Sequence, residues 1–412
     1  MRQIPLNTTD IEQALLNIEK KERSNPLAWN GQFSPQLVEI LLSTYASHDS
    51  VVLDPFAGSG TLLYEAGRKN LHANATEINP AAYYLARMYT LFNRKASTRG
   101  RIVAALDEAL HTYFPPELPL FAVTTRPRSR EDTSQRLKKM WHELHNPDER
   151  RLFETLLILA DFFDANSNPR RLLTTWTKLR SMIEAFPYST QPIKVFNRDA
   201  RMLPLSDHCI DLVITSPPYI NVFNYHQQYR QSAEALGWDL LAVAKSEIGS
   251  NRKHRANRFL TVVQYCLDMS QVFGELERVC RKSARVIVIV GRESRVRFTP
   301  FYIGEIVGQV GTQCAGFRLV TRQERVFKNK FGESIYEDIL HFAPVRKQNK
   351  DPLETAREIS LQVLKQALKS TPRRALTDIE AALACVPDIQ SSPIYNQSAA
   401  RKKSKQTWRF ET

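Results

Sequence analysis

A short segment, Thr215-Ser216-Pro217-Pro218-Tyr219, joins reactive side chains to a stiff backbone. It follows the apolar pair Val213-Ile214, which predicts a buried strand that ends at this turn. The Ser216 hydroxyl and the Pro217 carbonyl can accept hydrogen bonds from an amino group, and the proline ring fixes φ so that the carbonyl points outward. The ring of Tyr219 can stack on a flat substrate. The plain alternative is a Pro-Pro turn at a strand end.

A second turn lies more than a hundred residues earlier, at Asp54-Pro55-Phe56-Ala57-Gly58-Ser59-Gly60-Thr61. The apolar residues 51–53 before it predict a strand, and Leu62, Leu63 and Ala66 after it predict a helix. Glycine in such a loop allows a tight turn and a close approach of a ligand to the main chain. The loop is neither the GxGxxG fingerprint nor a P-loop, since no Lys follows. It indicates a nucleotide-cofactor loop, and an ordinary tight turn is the alternative.

Three further residues are candidates for cofactor contacts. Glu77 ends a predicted second strand, where a carboxylate can accept two hydrogen bonds from ribose hydroxyls, although a lone Glu is more often a solvated surface residue. Asp199 follows a predicted third strand (193–196) and could accept from an adenine amino group or cap a helix. Phe33 precedes the helix predicted from Pro35 and could pack on the cofactor or act as a hydrophobic staple.

In this order, the motifs resemble those of the S-adenosylmethionine-dependent DNA amino methyltransferases (the N4/N6 DNA methylase family), most closely the cytosine-N4 type. The resemblance covers roughly residues 25–93 and 190–342. It implies S-adenosylmethionine as the cofactor, with the glycine loop at the methionine moiety. The implied cofactor-binding residues are Phe33, Asp54, Pro55, Phe56, Ala57, Gly58, Ser59, Gly60, Thr61, Glu77 and Asp199. The implied catalytic residues are Ser216, Pro217, Pro218 and Tyr219.

The resemblance also implies a substrate. Family members with Asp or Asn at the position of Ser216 act mostly on adenine N6, or on guanine N2 in RNA enzymes, whereas Ser favours cytosine N4. A base in a duplex would have to flip out to reach such a turn. The resemblance implies a bacterial modification methyltransferase, either restriction-linked or solitary, that acts as a monomer or dimer. Its implied partners are double-stranded DNA and a cognate restriction endonuclease. An adenine-N6 enzyme, an RNA base methyltransferase of the same fold and a catalytically silent nucleic-acid-binding protein are the alternatives.

Charge supports a polyanionic partner, since the 412 residues carry a formal net charge of +14 and a pI near 9.6. A merely soluble basic protein is the alternative. Two regions could contact nucleic acid: the loop 221–258, which includes Tyr229 and Trp238, and the basic run 126–139. The predicted contact residues are Tyr225, Arg252, Lys253, Arg255, Arg128 and Arg130. Either run could also be a solvated face.

Five scattered cysteines without a CxxC pair predict free thiols rather than a metal site or a disulfide framework. No secretory signal and no run of about eighteen apolar residues is found, so we expect a cytoplasmic protein without a membrane span.

Alternating strand and helix patterns predict an α/β fold with a doubly wound, mainly parallel sheet and a helical insertion. The family resemblance implies that this is a Rossmann-like methyltransferase sheet. The predicted divisions are residues 1–96 (N-terminal helices and cofactor-binding half), 97–190 (helical insertion), 191–345 (catalytic half) and 346–412 (helical, then a basic flexible tail). Further expectations are a helix over 9–22 capped by Thr9 or Asp10, a helix over 259–281, and a late antiparallel pair at 317–327 and 335–342. The insertion splits the cofactor half, unlike the family, so it is either the target-recognition region or a scaffold or oligomerisation element.

Overall fold

A computed structural model describes residues 6–7, 11–32, 34–115, 130–164, 169–220, 225–249, 254–329, 331–345 and 351–401. Within these ranges nine strands form, seven in one sheet and two in a small separate hairpin. In chain order they are β1 (Val51–Asp54), β2 (His72–Thr76), β3 (Ile193–Phe196), β4 (Ile210–Thr215), β5 (Cys280–Gly291), β6 (Glu293–Val296), β7 (Thr299–Tyr302), β8 (Phe317–Lys328) and β9 (Ser334–Pro344).

The large sheet has the strand order β3-β2-β1-β4-β5-β9-β8, with parallel pairing from β3 to β5. Within this sheet β9 pairs antiparallel with both β5 and β8. The predicted doubly wound, mainly parallel sheet is confirmed, as is the late antiparallel pair. The chain runs outward from β1 to β3 and then returns to β4, which leaves a crevice at the carboxyl ends of β1 and β4.

Helices cover both faces of the sheet. They are α1 (Gln13–Asn17), α2 (Pro35–Tyr45), α3 (Thr61–Arg68), α4 (Pro80–Ala86), α5 (Ala96–Tyr113), α6 (Arg130–Glu143), α7 (Pro147–Leu159), α8 (Pro169–Glu184), α9 (Arg230–Ala235), α10 (Leu240–Val243), α11 (Leu260–Val279), α12 (Ile303–Gln313), α13 (Pro352–Leu368) and α14 (Leu376–Ala384). No described helix is both long and apolar enough to cross a membrane.

Side chains of the central strands alternate between two cores. On β4, Leu212 and Ile214 point into the core that includes α2, α3 and α4, while Val213 points into the core that includes α11, α12 and α13. Because both faces are covered, the middle of the strand, residues 212–214, is continuously apolar instead of alternating with polar residues. Each buried Val, Leu or Ile contributes about 1.5–3 kcal/mol relative to exposure.

The described part of 97–190 is helical and shares the first of these cores. Thr155 Oγ1 on α7 donates to the carbonyl of Tyr84 on α4 (2.9 Å), and Arg87 forms an ion pair with Glu154 (2.6 Å). Leu106, on α5, is fully buried in the same core. The insertion is therefore packed directly onto the helix that follows β2.

The two ends of the chain differ from the expectation. The first helix spans only Gln13–Asn17, so the predicted helix over 9–22 is wrong in extent, and its proposed caps lie outside the described residues. After α14, residues 389–401 pack on the molecule where a flexible tail was expected. Tyr395 is 5% exposed, and Arg401 lies over the ring of Trp238 at 3.4 Å. Residues 402–412 lie outside the described chain.

Candidate active site

The two turns that the sequence singled out lie side by side. β1 and β4 are adjacent and parallel, with Leu53 opposite Val213. Beyond that pair, the Thr215 Oγ1 hydroxyl donates a hydrogen bond of 2.6 Å to Asp54 Oδ1. This bond joins the glycine loop after β1 to the Ser-Pro-Pro-Tyr turn after β4, at the crevice where the strand order reverses.

The glycine loop is held by its own backbone. Gly58 and Gly60 have φ values of +51° and +91°, a region that other residues enter only with strain. An added Cβ on Gly60 would lie 2.8 Å from a ring carbon of Tyr89 and 3.0 Å from the Cα of Ala86. Glycine is therefore needed here both for the turn and for the close contact with the helices beyond β2.

Glu77, directly after β2, organises the same loop. Its Oε2 accepts from the Gly58 N–H and its Oε1 from the Asn79 N–H, both at 2.8 Å. Burial raises the pKa of Glu77 from its ordinary value near 4.5 to about 8, the two N–H donors oppose the rise, and the neighbouring carboxylates of Asp54 and Glu247 add to it. Each oxygen keeps a second lone pair, so hydroxyl groups of a ligand could still bind.

Asp54 is a second buried carboxyl group that forms no ion pair within the described part of the chain. Burial raises its pKa to about 7, although the Thr215 hydroxyl and the Phe56 N–H donate to it. Its Oδ2 is buried and has no hydrogen-bond partner among the described residues. A cationic ligand beside these carboxyl groups would stabilise their charged forms, and S-adenosylmethionine carries a positive sulfonium and an ammonium group.

A cleft in two connected parts runs along these strand ends. Four residues belong to both parts, namely Phe56, Glu77, Pro218 and Tyr225. The first part is also lined by Trp29, Asn30, Gly31, Gln32, Ala57, Gly58, Ser59, Thr61 and Ser216. The second is also lined by Pro55, Ile78, Asn79, Asp199, Ala200, Ser246, Glu247 and Ile248. The carboxylates, the glycine cradle and the adjoining, mostly apolar compartment fit an extended, cationic nucleoside cofactor.

Asp199 lines the second part, but its carboxylate already has partners. Arg201 donates to Oδ1 from Nε (2.9 Å) and to Oδ2 from Nη2 (2.8 Å), and the Tyr395 N–H donates to Oδ2 (2.8 Å). Arg201 also pairs with Asp268 at 2.9 Å, so it ties the end of β3 to α11 and to the C-terminal segment. The role of Asp199 as an acceptor for adenine stays a prediction.

Glu247 is a residue that the sequence interpretation missed. It is 7% exposed and its Oε2 lies 3.1 Å from Nδ1 of His226, while its Oε1 is buried without a partner in the described chain. It lines the second part of the cleft together with Asp199. It sits in an irregular loop, so no periodic pattern could have marked it.

Trp29 and Gln32 were also missed. Gln32 Nε2 donates to the carbonyl of Leu27 (2.6 Å) and to the hydroxyl of Ser59, and an added Cβ on Gly58 would lie 3.2 Å from the Trp29 ring. The segment before α2 therefore forms one wall of the cofactor cleft. The only sequence signal was the predicted role of the neighbouring Phe33, which itself lies outside the described residues.

The Ser-Pro-Pro-Tyr turn is packed on two glycines. An added Cβ on Gly291 would lie 3.3 Å from Cε2 of Tyr219, and one on Gly249 would lie 3.0 Å from the Tyr219 carbonyl. The Tyr219 hydroxyl lies 3.5 Å from Ser216 Oγ. Burial raises the pKa of Tyr219 well above its ordinary value, and nearby Glu337 adds to the rise, so this hydroxyl stays protonated.

A wide groove adjoins the first part of the cofactor cleft and opens toward solvent. It shares Trp29, Asn30, Gly31 and Gln32 with the cofactor cleft, and its opposite wall is formed by the ends of β8 and β9. Arg325 there pairs with Glu337 at 2.7 Å, and its guanidinium lies 4.3 Å from the ring centroid of Phe327. The groove leads from the surface to the first part of the cleft, where Ser216 lies.

The predicted nucleic-acid contacts are scattered. Arg255 is exposed, whereas Tyr225 is half-buried in the wall of the cofactor cleft. Trp238, one of the aromatic residues noted in this loop, is 1% exposed and donates to the Tyr84 hydroxyl at 3.3 Å, so its ring belongs to the core and is not open to nucleic acid. The other predicted contacts lie outside the described part of the chain, namely Arg128, Arg252, Lys253 and the side chain of Arg130.

Comparison with known proteins agrees with this picture. Residues 7–88 match the N6/N4 methyltransferase family model, described as DNA methylase. None of the curated proteins matches the chain significantly.

Similar solved structures include a SAM-dependent methyltransferase from Methanosarcina mazei (11% identity, 74% of this chain and 98% of that chain covered, TM-score 0.35). A TehB-like SAM-dependent methyltransferase from Corynebacterium glutamicum has 9% identity, covers 74% and 86% of the two chains and has a TM-score of 0.30. An rRNA methyltransferase from Streptomyces viridochromogenes has 11% identity, covers 86% and 96% and has a TM-score of 0.28. Likeness this low says nothing about the substrate of this chain.

The sheet topology, the facing turns and the family match together define an S-adenosylmethionine-dependent methyltransferase. The matched N-terminal part, which contains the glycine loop, is similar to the N6/N4 DNA methylase family over residues 7–88.

Proposed function

We propose that this protein transfers a methyl group from S-adenosylmethionine to the exocyclic N4 of cytosine in DNA. The observation that carries the proposal is the position of Ser216, which lines the same part of the cleft as Gly58 and Ser59. A target amine bound at Ser216 is therefore next to the loop assigned to the methionine moiety. The net charge of +14 favours a polyanionic substrate.

The target nitrogen needs help from the protein. An exocyclic amine is a poor nucleophile because its lone pair is delocalised into the ring. Ser216 Oγ and the Pro217 carbonyl can accept hydrogen bonds from the amino protons, which favours a tetrahedral nitrogen and stabilises the positive charge that develops on it. The Tyr219 hydroxyl, 3.5 Å from Ser216 Oγ and protonated, can orient the serine oxygen.

The cofactor supplies a methyl group activated by its sulfonium. Glu77 would accept from the ribose hydroxyls, and the glycine loop with Asp54 would hold the methionine end. The adenine end would lie in the second part of the cleft. The Asp199 carboxylate already accepts hydrogen bonds from Arg201. The buried Oε1 of Glu247 is therefore the better acceptor for the adenine amino group in this part of the cleft.

The flipped base would enter through the wide groove that shares residues 29–32 with the cofactor cleft. The Arg325–Glu337 pair lines this groove, and Ser216 lines the part of the cleft that adjoins the groove at residues 29–32.

The proposal is tested by incubating unmethylated plasmid DNA with the protein and S-adenosylmethionine, then measuring methylated nucleosides by mass spectrometry. We expect N4-methylcytosine, and none with Tyr219→Ala, whose cofactor affinity should stay near that of the intact protein. Formation of N6-methyladenine would support a DNA amino methyltransferase but overturn the interpretation of Ser216 as a sign of cytosine N4 specificity. Methylation of RNA alone would overturn the DNA assignment.

A further inference from the structure

The small hairpin of β6 and β7 ends in a turn made of residues that such a turn disfavours. Val296 pairs with Thr299, so Arg297 and Phe298 form a two-residue turn. Their φ values are +48° and +68°. Hairpin turns with two positive φ values favour Asn-Gly, because a bulky side chain is strained there. Arg-Phe is therefore unfavourable for the turn itself, and these two side chains point to a role outside the turn.

Phe298 presents an apolar ring to solvent at the tip of this hairpin. It is 64% exposed. The guanidinium carbon of Arg374 lies 4.0 Å from the ring centroid, which holds the ring in one orientation. An oriented, exposed aromatic ring at a hairpin tip has the shape of a wedge.

The segments that meet beside the tip are rich in arginine. Arg297 pairs with Asp378 on α14, and Asn257 Nδ2 donates to the Asp378 carbonyl at 2.6 Å, which brings residues 254–258 and 373–375 beside the hairpin. We call this surface the hairpin patch. Its arginines are Arg255, Arg258, Arg295, Arg297, Arg373 and Arg374, and its carboxylates are Glu293 and Asp378.

The hairpin is also fixed to the catalytic turn. Ser294 on β6 donates a hydrogen bond to the carbonyl of Ile220, the residue directly after Tyr219. A strand advances about 3.3 Å per residue, so the turn lies about 10–13 Å from this attachment. That distance is about three to four base-pair steps of a duplex, since successive phosphates of one strand are about 3.4 Å apart along the axis.

We propose that the hairpin patch binds double-stranded DNA, with Phe298 inserted between bases near the target and the arginines on the flanking phosphates. The inference rests on the proposed base methyltransferase function. A base must leave the stack to reach Ser216, and an apolar wedge that unstacks a base step lowers the free energy required. The arginines would neutralise phosphates and fix the register of the hairpin.

The test uses three variants of the full chain: Phe298→Ala, the double variant Arg297→Asn with Phe298→Gly, and Tyr188→Ala. The double variant installs the preferred turn, so its thermal midpoint should be unchanged or higher and loss of function cannot be assigned to misfolding. Tyr188, 49% exposed just before the edge strand β3, is the matched control. Methyl transfer is measured on plasmid duplex and on the same DNA after heat denaturation, and duplex affinity by fluorescence anisotropy.

We expect both hairpin variants to lose at least tenfold in turnover on duplex and less than threefold on denatured DNA, where no stack has to be opened, with Tyr188→Ala unchanged. An equal loss on both substrates, or no loss, would overturn the wedge. If the intact protein methylates no DNA, the proposed function fails, and the affinity for duplex DNA alone then tests the hairpin patch. A drop of fivefold or more in duplex affinity for the hairpin variants would keep the patch as a DNA surface, and a smaller drop would overturn it.

Discussion

The charge of Glu77 offers a sharp test of the cofactor site. Burial raises the pKa of this group to about 8, so in the free protein its carboxyl is mostly protonated at pH 6 and 7. If the ribose hydroxyls donate to the carboxylate, only the ionised fraction binds. That fraction falls about tenfold from pH 7 to pH 6, which corresponds to ~1.4 kcal/mol of binding free energy.

Isothermal titration calorimetry with S-adenosylmethionine at pH 6.0, 6.5 and 7.0 measures this effect. The cofactor's own amino group stays protonated in that window, since α-amino pKa values lie at about 7.7–8.0. Asp54, with a pKa of about 7, acts in the same direction, so Glu77→Gln serves as the control. We expect the slope of log Kd against pH to be smaller by about one in Glu77→Gln than in the intact protein. Equal slopes would refute the role given to Glu77.

The raised pKa of Glu77 also affects stability: cofactor binding should strengthen as the pH rises, whereas the stability of the free protein should fall. The folded protein holds a proton on Glu77 that the unfolded chain releases above about pH 4.5, so the folded state binds more protons between pH 4.5 and 8. The free energy of unfolding without cofactor should therefore fall as the pH rises through this window. Saturating cofactor should reduce the fall, because it favours the ionised form. A rise in stability with pH that Glu77→Gln does not alter would contradict the assignment.

Three further predictions concern packing, buried charge and the adenine end. Gly60→Ala should lower the free energy of unfolding by about 2–5 kcal/mol, because alanine is strained in a left-handed backbone and its Cβ overpacks the Tyr89 ring. Gly100→Ala on α5 has open space at its Cβ and should raise the free energy of unfolding by about 1 kcal/mol. Urea unfolding checks both, and equal effects would contradict the geometry. Arg201→Met should cost about 3–5 kcal/mol, because it leaves two buried carboxylates unpaired, and a loss under 1 kcal/mol would contradict the pairing. Glu247→Gln should weaken cofactor binding about tenfold or more in calorimetry, and unchanged affinity would return the adenine role to Asp199.

The fold and the two turns could be predicted because their signals are local. Val213 and Ile214 form an apolar run that a Pro-Pro pair ends, and the glycines at 58 and 60 mark a turn before a helix. Each signal lies within a dozen residues of sequence. Parallel strands with their turns at the same edge then bring distant motifs together without further information.

The remainder of the site depends on contacts between distant segments. Asp199 was interpreted as open to the cofactor, but its pairing with Arg201 is completed by the backbone of Tyr395, almost two hundred residues later. Glu247 is placed by an irregular loop, and Trp238 is buried beneath Arg401. None of these positions belongs to a periodic pattern, so only the tertiary structure could assign them.

The measurement that tests the central claim most directly is nucleoside mass spectrometry of unmethylated plasmid DNA treated with the protein and S-adenosylmethionine, beside a Ser216→Ala variant shown to bind the cofactor. We predict N4-methylcytosine with the intact protein and a strong reduction with the variant. An intact protein that binds cofactor and duplex DNA yet leaves every base unmethylated would contradict the proposed function.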